Sequence, residues 1–311
     1  MADQTPVIDV ENLVVEYGKG DKATRAVNGI TFRVEPGETV GFIGANGAGK
    51  STTMKTLMGF LFPTSGTARV FGLPAGNAQS REKIGYLPEV ALYYPFMKAR
   101  ELLELYGGLS GMKRSELRAR IPRVLERVGL GGKEESLLRS FSKGMQQRLG
   151  IAQSLIAEPE ALIFDELSSG LDPVGRYDLR DVLLELKKEG RTVFFSSHEL
   201  TEVESLCDRV IVIHEGNIVK QAPLDELMKP LNQFEVTFRS ENGSLPDEVA
   251  RFEPINEGNY SRVVVNDVGD YTKILTALQN AGIEIQETSS KTRSLEEYFI
   301  EIVRGSSEDA S

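Results

Sequence analysis

Residues 39–52 read TVGFIGANGAGKST, and no other stretch limits the fold of this chain as tightly. The continuous apolar run TVGFIG is the pattern of a strand buried on both faces; a glycine-rich segment and a helix-compatible stretch follow it. Strand, glycine loop, Lys-Ser/Thr and helix, in that order, form a phosphate-binding loop. The loop comprises Gly44, Ala45, Asn46, Gly47, Ala48, Gly49, Lys50, Ser51 and Thr52. In such a loop backbone N–H groups close around phosphates, and the helix N-terminus presents the positive end of its dipole. Lys50 is placed to reach the β- and γ-phosphates, and the Ser51 hydroxyl to bind Mg²⁺.

The surrounding pattern predicts an α/β domain. Residues 7–17 and 30–34 alternate like half-buried antiparallel strands, and Pro36 to Glu38 turn the chain into the buried strand. Three further short apolar strands, ALIFD (161–165), TVFFSS (192–197) and RVIVIH (209–214), are separated by helix-length stretches, as βαβ units with a parallel sheet require. Ahead of these three lies a helical insert at about 90–155. From Ala99 to about Glu135 its apolar stripe is Leu102, Leu103, Leu105, Leu117, Ile121, Leu125 and Val128. The first domain is expected over 1–222 and a small C-terminal α/β domain over 223–305. The second has short strands (FEVTF, RVVV, IEIQ), a helix at Thr272 to Gln279 and a closing helix with Leu295, Phe299, Ile302 and Val303 on one face. The acidic residues 306–311 read as a disordered tail.

Three polar clusters and one aromatic run stand out. The strand ALIF ends in two carboxylates, Asp165 and Glu166, which strand alternation sends to opposite sides. Asp165 then suits a Mg²⁺ shell and Glu166 the water that attacks a γ-phosphate. His198 ends TVFFSS, where it reaches the same phosphate from another edge or caps a strand-to-helix junction; His214 falls in a hairpin turn and takes no chemistry. FSKGMQQR (141–148) sets a hydroxyl, a glycine and two cations at a helix start, which suits an anion beyond the ordinary cap. The run Tyr93, Tyr94, Pro95, Phe96 either forms the core of the insert or lines a groove for a short partner helix.

The order of these motifs, with SGLDP between the carboxylate pair and the histidine, resembles the ATP-binding cassette ATPases of ABC transporters over roughly residues 7–222. The resemblance implies a RecA-like P-loop core with an antiparallel β edge and a helical insert. Tyr17 lies where the family stacks an aromatic on adenine, though an aromatic at a strand end also packs. Gly44 to Thr52 match the Walker A loop, and Asp165 and Glu166 the end of the Walker B strand. Ser142, Lys143, Gly144, Met145 and Gln146 overlie the signature motif, Ser169, Gly170, Leu171 and Asp172 the D-loop, and His198 the switch histidine. Two departures count. Glu89 stands where many cassettes carry a glutamine, leaving open whether it meets Mg²⁺, its water or only the partner. The signature reads FSKGM, which with the C-terminal Leu-Glu-Glu-aromatic-Phe helix looks like the subgroup serving ABC-2 type exporters.

By the same resemblance the chain is expected to be an ATP-hydrolysing subunit that uses ATP and Mg²⁺ and drives a separate integral-membrane permease from the cytoplasmic face of the membrane. About fifteen residues of helix span roughly 22 Å, so Ser142 stands well away from its own chain's nucleotide. The family arrangement is a head-to-tail homodimer, or heterodimer with a related cassette, in which the signature of one chain meets the ATP of the other. The competing reading is a cassette ATPase of translation or DNA repair. Against it stand a single cassette, the absence of a long heptad insert and a net charge of −10 from 36 basic and 46 acidic residues, so no nucleic-acid partner is expected. A GTPase or kinase reading lacks an Asn-Lys-x-Asp motif. One cysteine, Cys207, excludes a disulfide framework, and neither a signal peptide nor an apolar run of bilayer-spanning length is read in the sequence.

Overall fold

The computed structural model describes residues 5–18, 20, 23–168, 171–228, 230–240, 245–292 and 295–300. They divide into two compact units between Leu224 and Asp225.

The first unit opens with an antiparallel pair, β1 (Ile8–Tyr17) and β2 (Thr24–Val34), whose inward positions alternate as the sequence pattern expects. Next come β3 (Thr39–Ile43), buried at every position, α1 (Lys50–Leu57), β4 (Ser65–Val70), β5 (Leu73–Pro74), α2 (Ala78–Arg81) and β6 (Ile84–Leu87). The insert supplies α3 (Ala99–Leu109), α4 (Arg114–Arg127) and α5 (Lys143–Leu155). The chain then returns through β7 (Ala161–Phe164), α6 (Pro173–Lys188), β8 (Thr192–Ser197), α7 (Leu200–Leu206), β9 (Arg209–His214) and β10 (Asn217–Pro223); the short α8 (Leu224–Leu227) straddles the boundary with the second unit.

Two sheets result. One has the order β2-β1-β4-β5 and is antiparallel; the other has the order β10-β9-β3-β8-β7-β6, parallel from β9 to β6, with β10 antiparallel at its edge. The apolar runs become the central strands because parallel strands are covered on both faces and have no solvent side to which a polar residue can point. Phe32 of β2 stacks on Phe42 of β3 and Phe194 of β8 with ring centroids 5.7 Å apart, welding the two sheets. Truncating such a ring to alanine costs about 3–5 kcal/mol. Cys207 is buried, and a Cβ at Gly41 would fall 2.9 Å from its Sγ, which fixes glycine at the middle of β3.

Two expectations for the insert change. Leu105 is 47% exposed and is not part of the core stripe, because α3 turns its Leu102–Leu103 side inward. The aromatic run divides: Tyr93 packs inward near Gly150 of α5, and burial pushes its phenol pKa up, whereas Tyr94 and Phe96 are each 75% exposed.

The second unit contains β11 (Pro230–Arg239), α9 (Asp247–Ala250), β12 (Ile255–Glu257), β13 (Tyr260–Val265), α10 (Val268–Asn280) and β14 (Ile285–Thr292). Its sheet is antiparallel with the order β12-β13-β11-β14, the ferredoxin-like split βαβ arrangement. Val236, Phe238, Val263 and Val265 face Ile274 and Leu278 of α10 across a small core. Residues 295–300 are helical with Leu295 buried. Ile302, Val303 and the acidic tail at 306–311 lie outside the described residues, as do Ser169 and Gly170.

Candidate functional site

The site forms where β3, β7 and β8 end side by side. Gly49 is the N-cap of α1 and makes no side-chain cap bond, so the first-turn N–H groups remain available to an anion. Its φ is +112°, and a Cβ there would sit 2.6 Å from the Ala26 carbonyl oxygen, so the loop cannot close with another residue. Lys50 is 5% exposed and folds back along the loop, donating to the Gly44 oxygen at 2.8 Å and the Ala45 oxygen at 3.3 Å. Its Nζ also lies 3.3 Å from Glu166 Oε1. Ser51 Oγ donates to Asp165 Oδ1 at 3.0 Å.

The carboxylate pair diverges for a reason other than strand alternation. β7 ends at Phe164, and Glu166 takes a left-handed backbone, φ +55°. A non-glycine residue in that region is strained and persists only where its surroundings hold it. Here Ser196 does so: its Oγ accepts the Glu166 N–H at 2.7 Å and donates to Asp165 Oδ1 at 3.0 Å. Asp165 consequently faces Ser51, while Glu166 faces Lys50 and His198, whose Nδ1 lies 2.5 Å from Glu166 Oε2. Burial raises the Asp165 pKa; the bonds from Ser51 and Ser196 offset part of that, and the charge of Glu89 adds to it.

Asp165 Oδ2 is buried and has no hydrogen-bond partner. An orphaned carboxylate oxygen beside a serine hydroxyl fits a hard divalent cation, which takes oxygen donors. Among the described residues no cluster of three or more His, Cys, Asp or Glu forms a complete protein cage. A cation here would therefore complete its shell with phosphate and water, the usual habit of Mg²⁺.

Tyr17 ends β1 with its hydroxyl 3.2 Å from Thr52 Oγ1 of the phosphate loop, and the residue is 43% exposed. The signature residues lie elsewhere. Ser142 is the N-cap of α5, accepting the Met145 N–H at 3.2 Å, and Arg148 pairs with Asp178 at 2.8 Å. Ser142, Lys143, Gly144, Met145, Leu171 and Asp172 line one cavity of about 490 Å³, to which the phosphate loop contributes nothing. Asp172 caps α6 by accepting the Gly175 N–H at 2.8 Å. Sequence reading missed Ser196 and Gln147, whose Nε2 donates to the Leu167 oxygen at 2.8 Å from inside α5. For Ser196 the available signal was a polar pair closing an otherwise apolar strand.

A buried strand feeding a glycine loop and lysine, with an acidic pair just past the end of β7 two places along the same sheet, defines a P-loop NTPase. The family model described as ABC transporter matches residues 27–169. The chain is 38% identical to an ABC transporter ATP-binding protein of Nostoc sp., covering 88% of this chain and 82% of that one. It is 34% identical to the bacitracin transport ATP-binding protein of Bacillus licheniformis, over 96% of this chain and 98% of that one. A solved ATP-binding subunit of an ABC transporter superposes with a TM-score of 0.64 at 31% identity, covering 72% of this chain and 92% of that one. A dimeric cassette bound to ADP and Pi shares the fold with a TM-score of 0.65 at 23% identity, over 70% and 98%. The chain belongs to the ATP-binding proteins of ABC transporters: it binds ATP and is an ATPase.

Proposed function

We propose that this chain powers an ABC-2 type exporter as a dimer that encloses two ATP and drives a separate membrane permease. The observation that carries the reading is the exposed run after β6. Val90, Leu92, Tyr94 and Phe96 are 65%, 89%, 75% and 75% exposed, an apolar cost that a water-facing loop does not need. Phe60, packed on Tyr86 at 5.6 Å between ring centroids, and Phe62 extend the apolar surface. β6 pairs with β7, and the Asp165 N–H donates to the Leu87 oxygen at 2.9 Å, so a helix of the permease seated there is two short steps from the nucleotide site. No helix among the described residues is long and apolar enough to cross a membrane. A transport role is supported by the similarity to the bacitracin transport protein over nearly the whole of both chains.

In this reading Tyr17 stacks on the adenine, and the loop N–H groups and Lys50 hold the phosphates, Lys50 exchanging Glu166 for phosphate oxygen. Ser51 and Asp165 hold Mg²⁺, which neutralises phosphate charge during transfer. Glu166 accepts the proton of the attacking water, and His198 fixes that carboxylate. Ser142, the Gly144 backbone and Lys143 meet the ATP of the opposite copy, with residues 169–172 between the two sites. The ferredoxin-like unit is a separate module attached to this motor.

The test is capture of the full-length tagged chain from solubilised membranes. A multi-spanning membrane protein should come with it, and Tyr94→Ala with Phe96→Ala should lose that protein without lowering the melting temperature. Capture of only ribosomal or DNA-bound proteins, or capture indifferent to both replacements, overturns the reading.

A further inference from the structure

Gln147 is a buried polar side chain on the helix that Ser142 heads. It stands in the second turn of α5, is 8% exposed, and its Nε2 donates to the Leu167 oxygen at 2.8 Å. Burying an amide is unfavourable unless it finds a partner, and the carbonyl of Leu167, itself buried, needs a donor as much. Among the described residues this is the one hydrogen bond that joins α5 to the chain from Asp165 to Ser168.

Leu167 follows Glu166 directly and is held at both of its peptide groups. Its N–H donates to the Ser196 oxygen of β8 at 3.2 Å, and its own oxygen accepts from Gln147. Thus β8 secures the peptide group between Glu166 and Leu167, and α5 secures the next one. Glu166 needs such support, because its left-handed backbone, φ +55°, lasts only where the surroundings fix the chain.

We propose that Gln147 is a positioning residue for its own chain's ATP, although it sits on the helix whose start meets the ATP of the opposite copy: by fixing the Leu167 carbonyl it aims the Glu166 carboxylate. The inference rests on the opposed dimer and on the role given to Glu166. With the Leu167 oxygen released, the following peptide group is free to turn and Glu166 can relax towards an ordinary backbone region, drawing its carboxylate away from Lys50 and His198. A displacement of about 1 Å at a reacting group can lower turnover by about 10²-fold. Gln147 bonds Leu167 rather than the phosphate loop, so the loss falls on rate and not on nucleotide binding.

The first measurement is kcat and KM for Mg²⁺-ATP hydrolysis by the full-length chain. Gln147→Met keeps the length of the side chain and removes the donor; kcat should fall by about 10- to 100-fold with KM within about twofold. Gln147→Glu turns an acceptor towards the Leu167 carbonyl and should lose at least as much. Should Gln147→Met fail to fold, Gln147→Asn, whose amide stops one methylene short, takes its place. The second measurement uses mixed dimers isolated through two different tags. Lys50→Ala paired with wild type leaves one working site and sets the reference. With Gln147→Met on the chain that keeps Lys50, that site should lose as much as the Gln147→Met homodimer does. With Gln147→Met moved onto the Lys50→Ala chain, the altered α5 faces the working ATP, and hydrolysis should stay within about twofold of the reference. A helix merely weakened by the replacement gives the reverse pattern. That reverse pattern, equal losses in the two pairings, or wild-type kcat in the Gln147→Met homodimer overturns the proposal. If the reference pair is itself inactive, the opposed dimer is at fault, and the kcat and KM of the homodimers decide the positioning role alone. Glu166→Gln is measured alongside, and wild-type turnover there removes both the role of Glu166 and the proposal.

Discussion

One carboxylate joins the phosphate loop to the end of β8: Glu166 Oε2 lies 2.5 Å from His198 Nδ1, and Oε1 lies 3.3 Å from Lys50 Nζ. Lys50 and Glu166 are both buried, so each holds the other's charge until a phosphate takes the lysine. Glu166→Gln keeps the shape and removes the proton acceptor. Turnover should fall by about 10²–10⁴-fold, and ATP affinity should stay equal or rise, since Lys50 is released from its competitor. Steady-state hydrolysis and equilibrium nucleotide binding read the two effects. A variant hydrolysing near the wild-type rate contradicts the role.

Asp165 makes a prediction about stability whose sign is unusual for a carboxylate. Its pKa in the folded chain is raised by burial, so the folded state holds this proton more tightly than the unfolded state does. The associated stability is present below the unfolded value and is lost as pH rises through the folded value. Without nucleotide and metal, Asp165→Asn should therefore raise the melting temperature at neutral pH. The advantage should shrink on acidification towards the carboxylate range. The same variant should lose the stabilisation that Mg²⁺-ATP gives the wild type. A lower melting temperature at neutral pH, or an advantage that grows on acidification, goes against the reading.

The charge of Glu89 is felt at Asp165, whose pKa it helps to raise after burial. Removing that charge should weaken the cation. For Glu89→Gln the Mg²⁺ concentration giving half-maximal hydrolysis should increase about fivefold, the equivalent of roughly 1 kcal/mol of Coulomb attraction, and the difference should narrow at high salt. A Mg²⁺ titration superimposable on that of wild type removes Glu89 from the metal's surroundings.

Much of this was legible because it is local. Gly44 to Thr52 require a strand before them and a helix after them, and β3 and α1 are there. The four apolar residues before Asp165 became β7. What sequence could not supply is long-range. Ser196 meets Asp165 from 31 positions away, and Gln147 of α5 reaches the Leu167 oxygen from 20 positions away. Glu166 diverges from Asp165 through a left-handed backbone that no residue preference announces, where period-two alternation offered a simpler reason. Leu105 satisfied the helical spacing yet faces outward, since periodicity marks a face without saying how wide the covered stripe is.

The signature segment and the phosphate loop allow the most direct trial of the dimer. Lys50→Ala removes the phosphate lysine, and Ser142→Arg fills the cavity at the start of α5; each homodimer should be inactive. In a mixed dimer one composite site carries both lesions and the other carries none. ATP hydrolysis should return on mixing, towards about half of the wild-type activity per heterodimer if the two sites work independently. Heterodimers are verified by differential tags, with the membrane partner present. If heterodimers form and hydrolysis stays at the level of the separate variants, Ser142 and Lys50 serve the same nucleotide, and the opposed arrangement is wrong.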